Sequence, residues 1–229
     1  MDKDIVHALT RSRKPLLDMM ACRGYDVEEE AGTSAEEVEA RACAAQPGSL
    51  TCALNVVAVA RPGGGAAMER CLLLYFVDVR SKSVLSKNLA RLWEEGSGVV
   101  PEGVRTPDPA RDEVMVVLSE DLRDAVHATA VAEWHARKGR ITLFLARDTV
   151  INPARHVLVP PHRRLSAEEV TELLGVRLKL QSRRNLPHVL FHVDAMARAM
   201  GLVPDDIVEV RRPSPAAGEH VTYRVCVER

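Results

Sequence analysis

Apolar positions in the first 45 residues recur at helical spacing. Ile5, Leu9, Leu16, Leu17 and Met20 fall on one face of "DIVHALTRSRKPLLDMMACRGYDV", which predicts a helix stopped at Gly24 and kinked or broken at Pro15. In "TSAEEVEARACAA", Ser34 followed by Glu37 marks the start of a second helix, ended by Pro47-Gly48. The period then changes. "LTCALNVVAVARPGGGAAMERCLLLYFVDVR" reads as two strands joined by a Gly-rich turn, and runs this continuous predict strands covered on both faces. "SVLSKNLARLWEE" is an amphipathic helix with Val84, Leu85, Leu89 and Leu92 inward. A Gly/Pro-dense loop follows. Next come the strand "EVMVVL", a helix capped by Ser119 and stopped near Gly139, and the strand "RITLFLA". The first 147 residues thus alternate helix and strand as an α/β layer.

The texture changes after residue 150. "INPARHVLVPPHRRLSAEEVTELLGV" reads strand, proline turn, helix, with Ser166 as N-cap, Glu169 closing the box, and Leu165 stapled onto Val170. Asp194 and Gly201 bound a short helix in "HVDAMARAMG". "DDIVEVRR" and "EHVTYRVCV" are strands, and "PSPAAG" between them is expected to stay outside the ladder. In the last strand Val221, Tyr223, Val225 and Val227 alternate with Thr222, Arg224 and Cys226.

Composition narrows the classes. Apolar residues are 46% of 229, charged residues 28% and aromatics 3%, so a core can form from aliphatic side chains. No apolar run reaches the ~18 residues of a membrane span, and the N-terminus is too polar for a signal peptide. Five cysteines (Cys22, Cys43, Cys52, Cys71 and Cys226) without a C-x-x-C suggest neither a disulfide framework nor a zinc ribbon. Net charge is −1. Residues 151–229 hold 12 Lys+Arg against 9 Asp+Glu, leaving 19 against 23 in the remainder. Neither part has the basic excess of an autonomous nucleic-acid binder.

The candidate chemistry is sparse. His156 and His162 are separated by a chain that Pro160-Pro161 hold extended, so their rings are expected to make structural hydrogen bonds rather than share a metal. No nucleophile motif occurs, and Gly63–Gly65 lack the Lys-Ser/Thr of a phosphate loop. Asp78 and Lys82 raise a Mg²⁺-dependent nuclease as an alternative, although residue 80 is Arg where an acid is needed. Arg212, before Pro213-Ser214 with Gly218 closing the turn, builds a charged corner suited to carboxylates or carbonyls.

Many of these positions recur in one family pattern. His156, Leu158 to Pro160 and His162; Leu186-Pro187; Asp194, Ala197 and Arg198; Arg212, Ser214 and Gly218; and Tyr223-Arg224 follow one order over about 75 residues. The stretch resembles the small shared subunit of multisubunit DNA-dependent RNA polymerases, the eukaryotic fifth subunit and its archaeal counterpart. "MACRGYDV" is similar to the Arg-Gly-Tyr of the eukaryotic members, and Ala195 replaces the family's proline.

The resemblance implies an α/β N-terminal jaw domain over 1–150, an endonuclease-like mixed sheet covered by helices. It implies a small α+β C-terminal assembly domain over 151–229. The implied function is that of a non-catalytic, nuclear polymerase subunit without cofactor, metal or catalytic residues. The implied partners are the largest subunit and neighbouring small subunits, with downstream DNA met only in the assembled enzyme and no membrane. His156, Pro160, Pro161, His162, Asp194, Arg198, Arg212, Ser214, Gly218, Tyr223 and Arg224 become the partner-binding candidates. Arg123, near the family's DNA-facing loop, becomes the DNA-proximal one.

Overall fold

The structure, a computed structural model, describes residues 2–45, 52–101, 103–214 and 218–228, and the chain divides into two compact units, Met1–Asn152 and Pro153–Arg229. In the first, α1 (Lys3–Cys22), α2 (Glu28–Ala31) and α3 (Ala35–Cys43) precede β1 (Val56–Val59) and β2 (Arg70–Phe76). Then come α4 (Lys82–Arg91), β3 (Asp112–Leu118), α5 (Arg123–Arg137) and β4 (Arg140–Leu145). The sheet order is β1-β2-β3-β4, antiparallel at β1/β2 and parallel at the other two pairings. Helices α4 and α5 make the two crossovers between the parallel strands and pack against each other.

Burial follows the apolar pattern, with instructive departures. Strands β2 and β3 are buried on both faces, but the edge strand β1 alternates, leaving Val57 and Val59 exposed. Leu85, Leu89 and Leu92 are fully buried, whereas Val84 lies one step round the helix and is exposed. Helix α1 runs unbroken through Pro15. The carbonyl that Pro15 leaves unbonded belongs to Arg11, an exposed residue open to water, while Leu16, Leu17, Met19 and Met20 anchor the last turns in the core. The expected stop of α3 at Pro47-Gly48 lies outside the described residues.

Ser119 does not cap α5. Its N–H continues the β2–β3 pairing to the Phe76 carbonyl (3.3 Å), and its hydroxyl accepts from the Asp78 N–H (3.0 Å), so the helix starts four residues later, after Leu122 and without a side-chain cap. Helix α5 ends on Lys138 in the left-handed conformation (φ 57°). Gly139 is closely packed: a Cβ there would lie 3.2 Å from the Trp93 ring, a tight contact.

The "MACRGYDV" stretch is a buried junction. Arg23 donates to Glu113 in β3 (2.5 Å), Tyr25 donates to the other Glu113 oxygen (2.8 Å), and all three side chains are buried. Burial, then the Glu113 charge, push the Tyr25 phenol far above its ordinary pKa, so it remains a donor. Gly24 adopts φ +96°, and a Cβ on it would fall 2.4 Å from the Gly64 carbonyl oxygen. The Gly-rich turn between β1 and β2 is therefore packed on the end of α1, where Arg61 also donates to the Tyr25 and Ala21 carbonyls.

The second unit contains a 3₁₀ turn (Pro153–Arg155), β5 (His162–Arg164) and α6 (Ala167–Glu172), which continues into a π-helical turn (Leu173–Arg177). After a 3₁₀ turn (Arg183–Asn185) come β6 (His188–Leu190), α7 (Ala195–Met200), β7 (Ile207–Ser214) and β8 (Gly218–Val227). Strand order is β5-β7-β8-β6; β5/β7 and β7/β8 are antiparallel and β6/β8 is parallel. Helix α6 has a complete capping box between Ser166 and Glu169. Leu165, Val170, Leu173, Leu186, Ile207 and Val225 form one core cluster against which Tyr223 and Val227 pack, while Val221 is exposed.

Two expectations are corrected in this unit. No strand precedes the prolines: His156 N–H bonds the Pro153 carbonyl (3.1 Å) and Val159 N–H bonds that of His156 (2.9 Å), so the chain curls and β5 begins only at His162. Pro213 and Ser214 do belong to the ladder, opposite Glu219 and Gly218. They lie beyond Val210, the last β7 residue paired to β5, so the missing N–H of Pro213 leaves no β5 acceptor unpaired.

Candidate functional site

The two histidines of the proline segment use their rings locally. His156 Nδ1 accepts from the Leu158 N–H (3.2 Å). His162 Nδ1 lies 2.6 Å from the Pro160 carbonyl, and since a carbonyl only accepts, Nδ1 carries the proton. Between the rings, Val157 and Leu158 stand 93% and 83% exposed, the most exposed large apolar residues described. Their prominence could not be read from a pattern that suggested a strand.

Strand pairing sorts the remaining candidates. In β7 and β8, Val210 faces Thr222, Arg212 faces His220 and Val208 faces Arg224; His162 in β5 lies opposite Val210. Alternation puts His162, Arg212, His220, Thr222 and Arg224 on one face of the sheet. Asp194, the N-cap of α7, accepts from the Met196 and Ala197 N–H groups and lies close enough to act on His162. Burial is the main cause of a lowered His162 pKa; the Pro160 carbonyl and Asp194 oppose it, while Arg224 and Arg212 add to it. The sheet thus brings His162, Asp194, Arg212 and Arg224 together. His220 belongs with them and was not singled out from sequence; its register opposite Arg212 is the signal.

The opposite face is electrically closed. Glu209 accepts from Arg211 (2.8 Å) and Arg163 (3.4 Å), Arg163 also pairs with Glu169 (2.7 Å), and Arg211 approaches Glu219 at 3.7 Å. Tyr223 is on this face, with its hydroxyl accepting from Arg177 (3.3 Å) and the Arg177 guanidinium 5.9 Å from its ring centroid. It is therefore separated from Arg212 and Arg224. Arg198 is half-buried in α7, and Ser214 and Gly218 form the last pair of the β7–β8 ribbon.

In the first unit, Arg123 opens α5, and its side chain lies outside what is described. Asp78 is ion-paired with Arg80. Among the described residues no three His, Cys, Asp or Glu side chains stand where they could share a metal ion, and no helix is long and apolar enough to cross a membrane.

The sequence profile of the family "RNA polymerase Rpb5, C-terminal domain" matches residues 151–226. The Rpo5 subunit of DNA-directed RNA polymerase from Pyrococcus abyssi is 40% identical over 87 residues, 37% of this chain and 99% of that protein. The chain belongs to the Rpb5 family. The Rpo5 subunit of Thermococcus kodakarensis is 43% identical over 85 residues, again 37% of this chain and 99% of that protein. The rpabc1 subunit of RNA polymerases I, II and III from Dictyostelium discoideum is 40% identical over 100 residues, 43% of this chain but 49% of its own length. The chain thus matches whole archaeal members of the Rpb5 family and about half of that eukaryotic one.

Proposed function

We propose that this chain is a non-catalytic subunit of a eukaryotic-type DNA-directed RNA polymerase, acting in the nucleus. Residues 151–229 are its assembly domain and dock on the largest subunit, beside neighbouring small subunits. His156, Pro160, Pro161, His162, Asp194, Arg198, Arg212, Ser214, Gly218, Tyr223 and Arg224 supply that surface. Residues 1–150 are a jaw with an endonuclease-like fold held near downstream DNA during transcription, and Arg123 is its DNA-proximal cation. The observation that carries this reading is the coincidence of the family match, 151–226, with the compact unit Pro153–Arg229.

The segment 156–161 suits the docking role physically. Two prolines limit the freedom of its unfolded and unbound forms, and Val157 and Leu158 already stand clear of the unit's own core. The test is affinity purification of the tagged full chain from its source cells, followed by mass spectrometry. The largest polymerase subunits are expected in stoichiometric amounts; their absence overturns the proposal. Mg²⁺-dependent DNA cleavage by the purified chain, abolished by Asp78→Ala, would establish the nuclease instead.

A further inference from the structure

Two arginines of the N-terminal unit stand apart from the rest. Every other arginine of that unit whose side chain is described is held by a neighbouring group. Arg13 and Arg23 pair with glutamates, Arg70 and Arg105 with Asp112, and Arg61 donates to backbone carbonyls. Arg11 and Arg147 are exposed, and neither has an ion pair or a hydrogen bond among the described residues. These same two line one cavity of about 270 Å³. Arg11 reaches it from α1 and Arg147 from the chain just after β4; Asp4, His7, Ala8 and Ala146 complete the lining. Asp4, His7, Ala8 and Arg11 follow helical spacing, so one face of α1 forms one side of the cavity. Guanidinium groups stay charged, and two of them bordering one concave surface focus positive potential there.

From this we infer that Arg11 and Arg147 bind the phosphate group of a small phosphate monoester, with the hydroxyls of its organic part turned towards Asp4. The inference goes beyond the subunit reading and does not depend on it. Guanidinium forks donate paired N–H groups to phosphate oxygens, and neither fork here is used by the protein itself. The surroundings select a single phosphate rather than a nucleic-acid backbone. Arg147 also borders a smaller cleft with Glu120, Asp121 and Asp148, and it forms no ion pair with them among the described residues. The first 150 residues hold 19 Lys+Arg against 23 Asp+Glu. A chain of phosphates running past the two arginines would meet these acids, whereas one phosphate seated between the guanidiniums need not. Asp4 lies two helical turns before Arg11, roughly 10 Å along the axis at about 1.5 Å per residue. That is too far for an ion pair. A carboxylate only accepts hydrogen bonds, so the partner it suits in a ligand is a hydroxyl. The cavity is slightly smaller than the ~300–1,000 Å³ of ordinary small-molecule sites, which fits a compact ligand.

The experiment is NMR of the arginine Nε–Hε groups in the purified full chain, with glycerol phosphate as the probe. Titration should move the Arg11 and Arg147 signals to saturation and leave unmoved that of Arg80, which is exposed but paired with Asp78. Arg11→Gln and Arg147→Gln should each weaken binding at least about tenfold. Both side chains lie on the surface, so thermal melting should show both variants folded, and either one alone suffices for the test. Inorganic phosphate should bind at least about tenfold more weakly than glycerol phosphate, and Asp4→Ala should narrow that gap. Arg11 and Arg147 signals that stay unmoved at millimolar glycerol phosphate, or Gln variants that bind as wild type does, overturn the inference. A short DNA duplex that occupies the same two arginines more tightly than glycerol phosphate at physiological salt also overturns it, because the site would then belong to nucleic acid. Inorganic phosphate that matches glycerol phosphate, or a gap that survives Asp4→Ala, overturns the assignment of a hydroxylated monoester.

Discussion

Replacing Arg23 by Met removes one of two described donors to a carboxylate that is 2% exposed, that of Glu113, the second residue of β3. Glu113 is then left with the Tyr25 hydroxyl, 2.8 Å from one oxygen, and with no donor for the other among the described residues. Breaking a buried ion pair from one side costs about 3–5 kcal/mol, because the remaining charge stays desolvated. Tyr25→Phe removes a hydrogen bond to the same charge and should cost roughly 1.5–3 kcal/mol. Both are large beside the ~5–15 kcal/mol stability of an ordinary domain. Trp93 and Trp134, the two tryptophans of the chain, both lie in the N-terminal unit, so their fluorescence follows its unfolding in urea. With a slope of about 2 kcal/mol per M, Arg23→Met should lower the midpoint by roughly 2 M. Arg23→Met/Glu113→Leu should recover most of that loss, since an apolar pair of similar volume carries no desolvated charge. A midpoint shift below about 0.5 M for Arg23→Met, or a double variant weaker than the single one, would refute this account of the Arg-Gly-Tyr stretch.

Gly24→Ala should destabilise the same unit by a few kcal/mol, seen in the same urea titration, because φ +96° and the Gly64 carbonyl 2.4 Å away both exclude a Cβ. Burial disfavours the Asp112 carboxylate, but bonds from Arg70 (2.7 and 2.9 Å) and the Asp108 N–H (2.8 Å), with Arg105 nearby, hold its pKa below the ordinary value. Its contribution is therefore present above about pH 4 and lost as pH falls through the lowered folded value, so Asp112→Asn should flatten the acid limb of midpoint against pH. Ser166→Ala removes the hydroxyl that accepts from the Glu169 N–H (3.3 Å) and should cost the C-terminal unit about 1 kcal/mol, measured by circular dichroism on denaturation.

What could be read from the chain depended on whether local chemistry or register decided the outcome. The Ser166–Glu169 box and the Asp194–Gly201 helix are local, and both were legible. Ser119 has the same chemistry as Ser166, but a neighbouring strand end takes its hydroxyl, and no local signal announces that. β6, three residues long, was missed because its existence depends on pairing with β8, far along the chain. The same applies to the candidate surface. Arg212 and Arg224 stood out as residues, but only the pairing of Arg212 with His220, and of Arg211 with acids on the other face, shows which cations lack an internal partner.

The central claim is that residues 151–229 alone carry the attachment to the polymerase. The archaeal members, matched over 99% of their length by 85–87 residues, show that the family includes whole proteins of about this size. The most direct measurement is therefore co-purification of a tagged 151–229 fragment with the largest polymerase subunit, against a tagged 1–150 fragment. The account predicts a soluble, cooperatively folding C-terminal fragment that brings the largest subunit down, and an N-terminal fragment that does not. A folded C-terminal fragment that fails to retain the largest subunit, while the full chain does retain it, would contradict the claim.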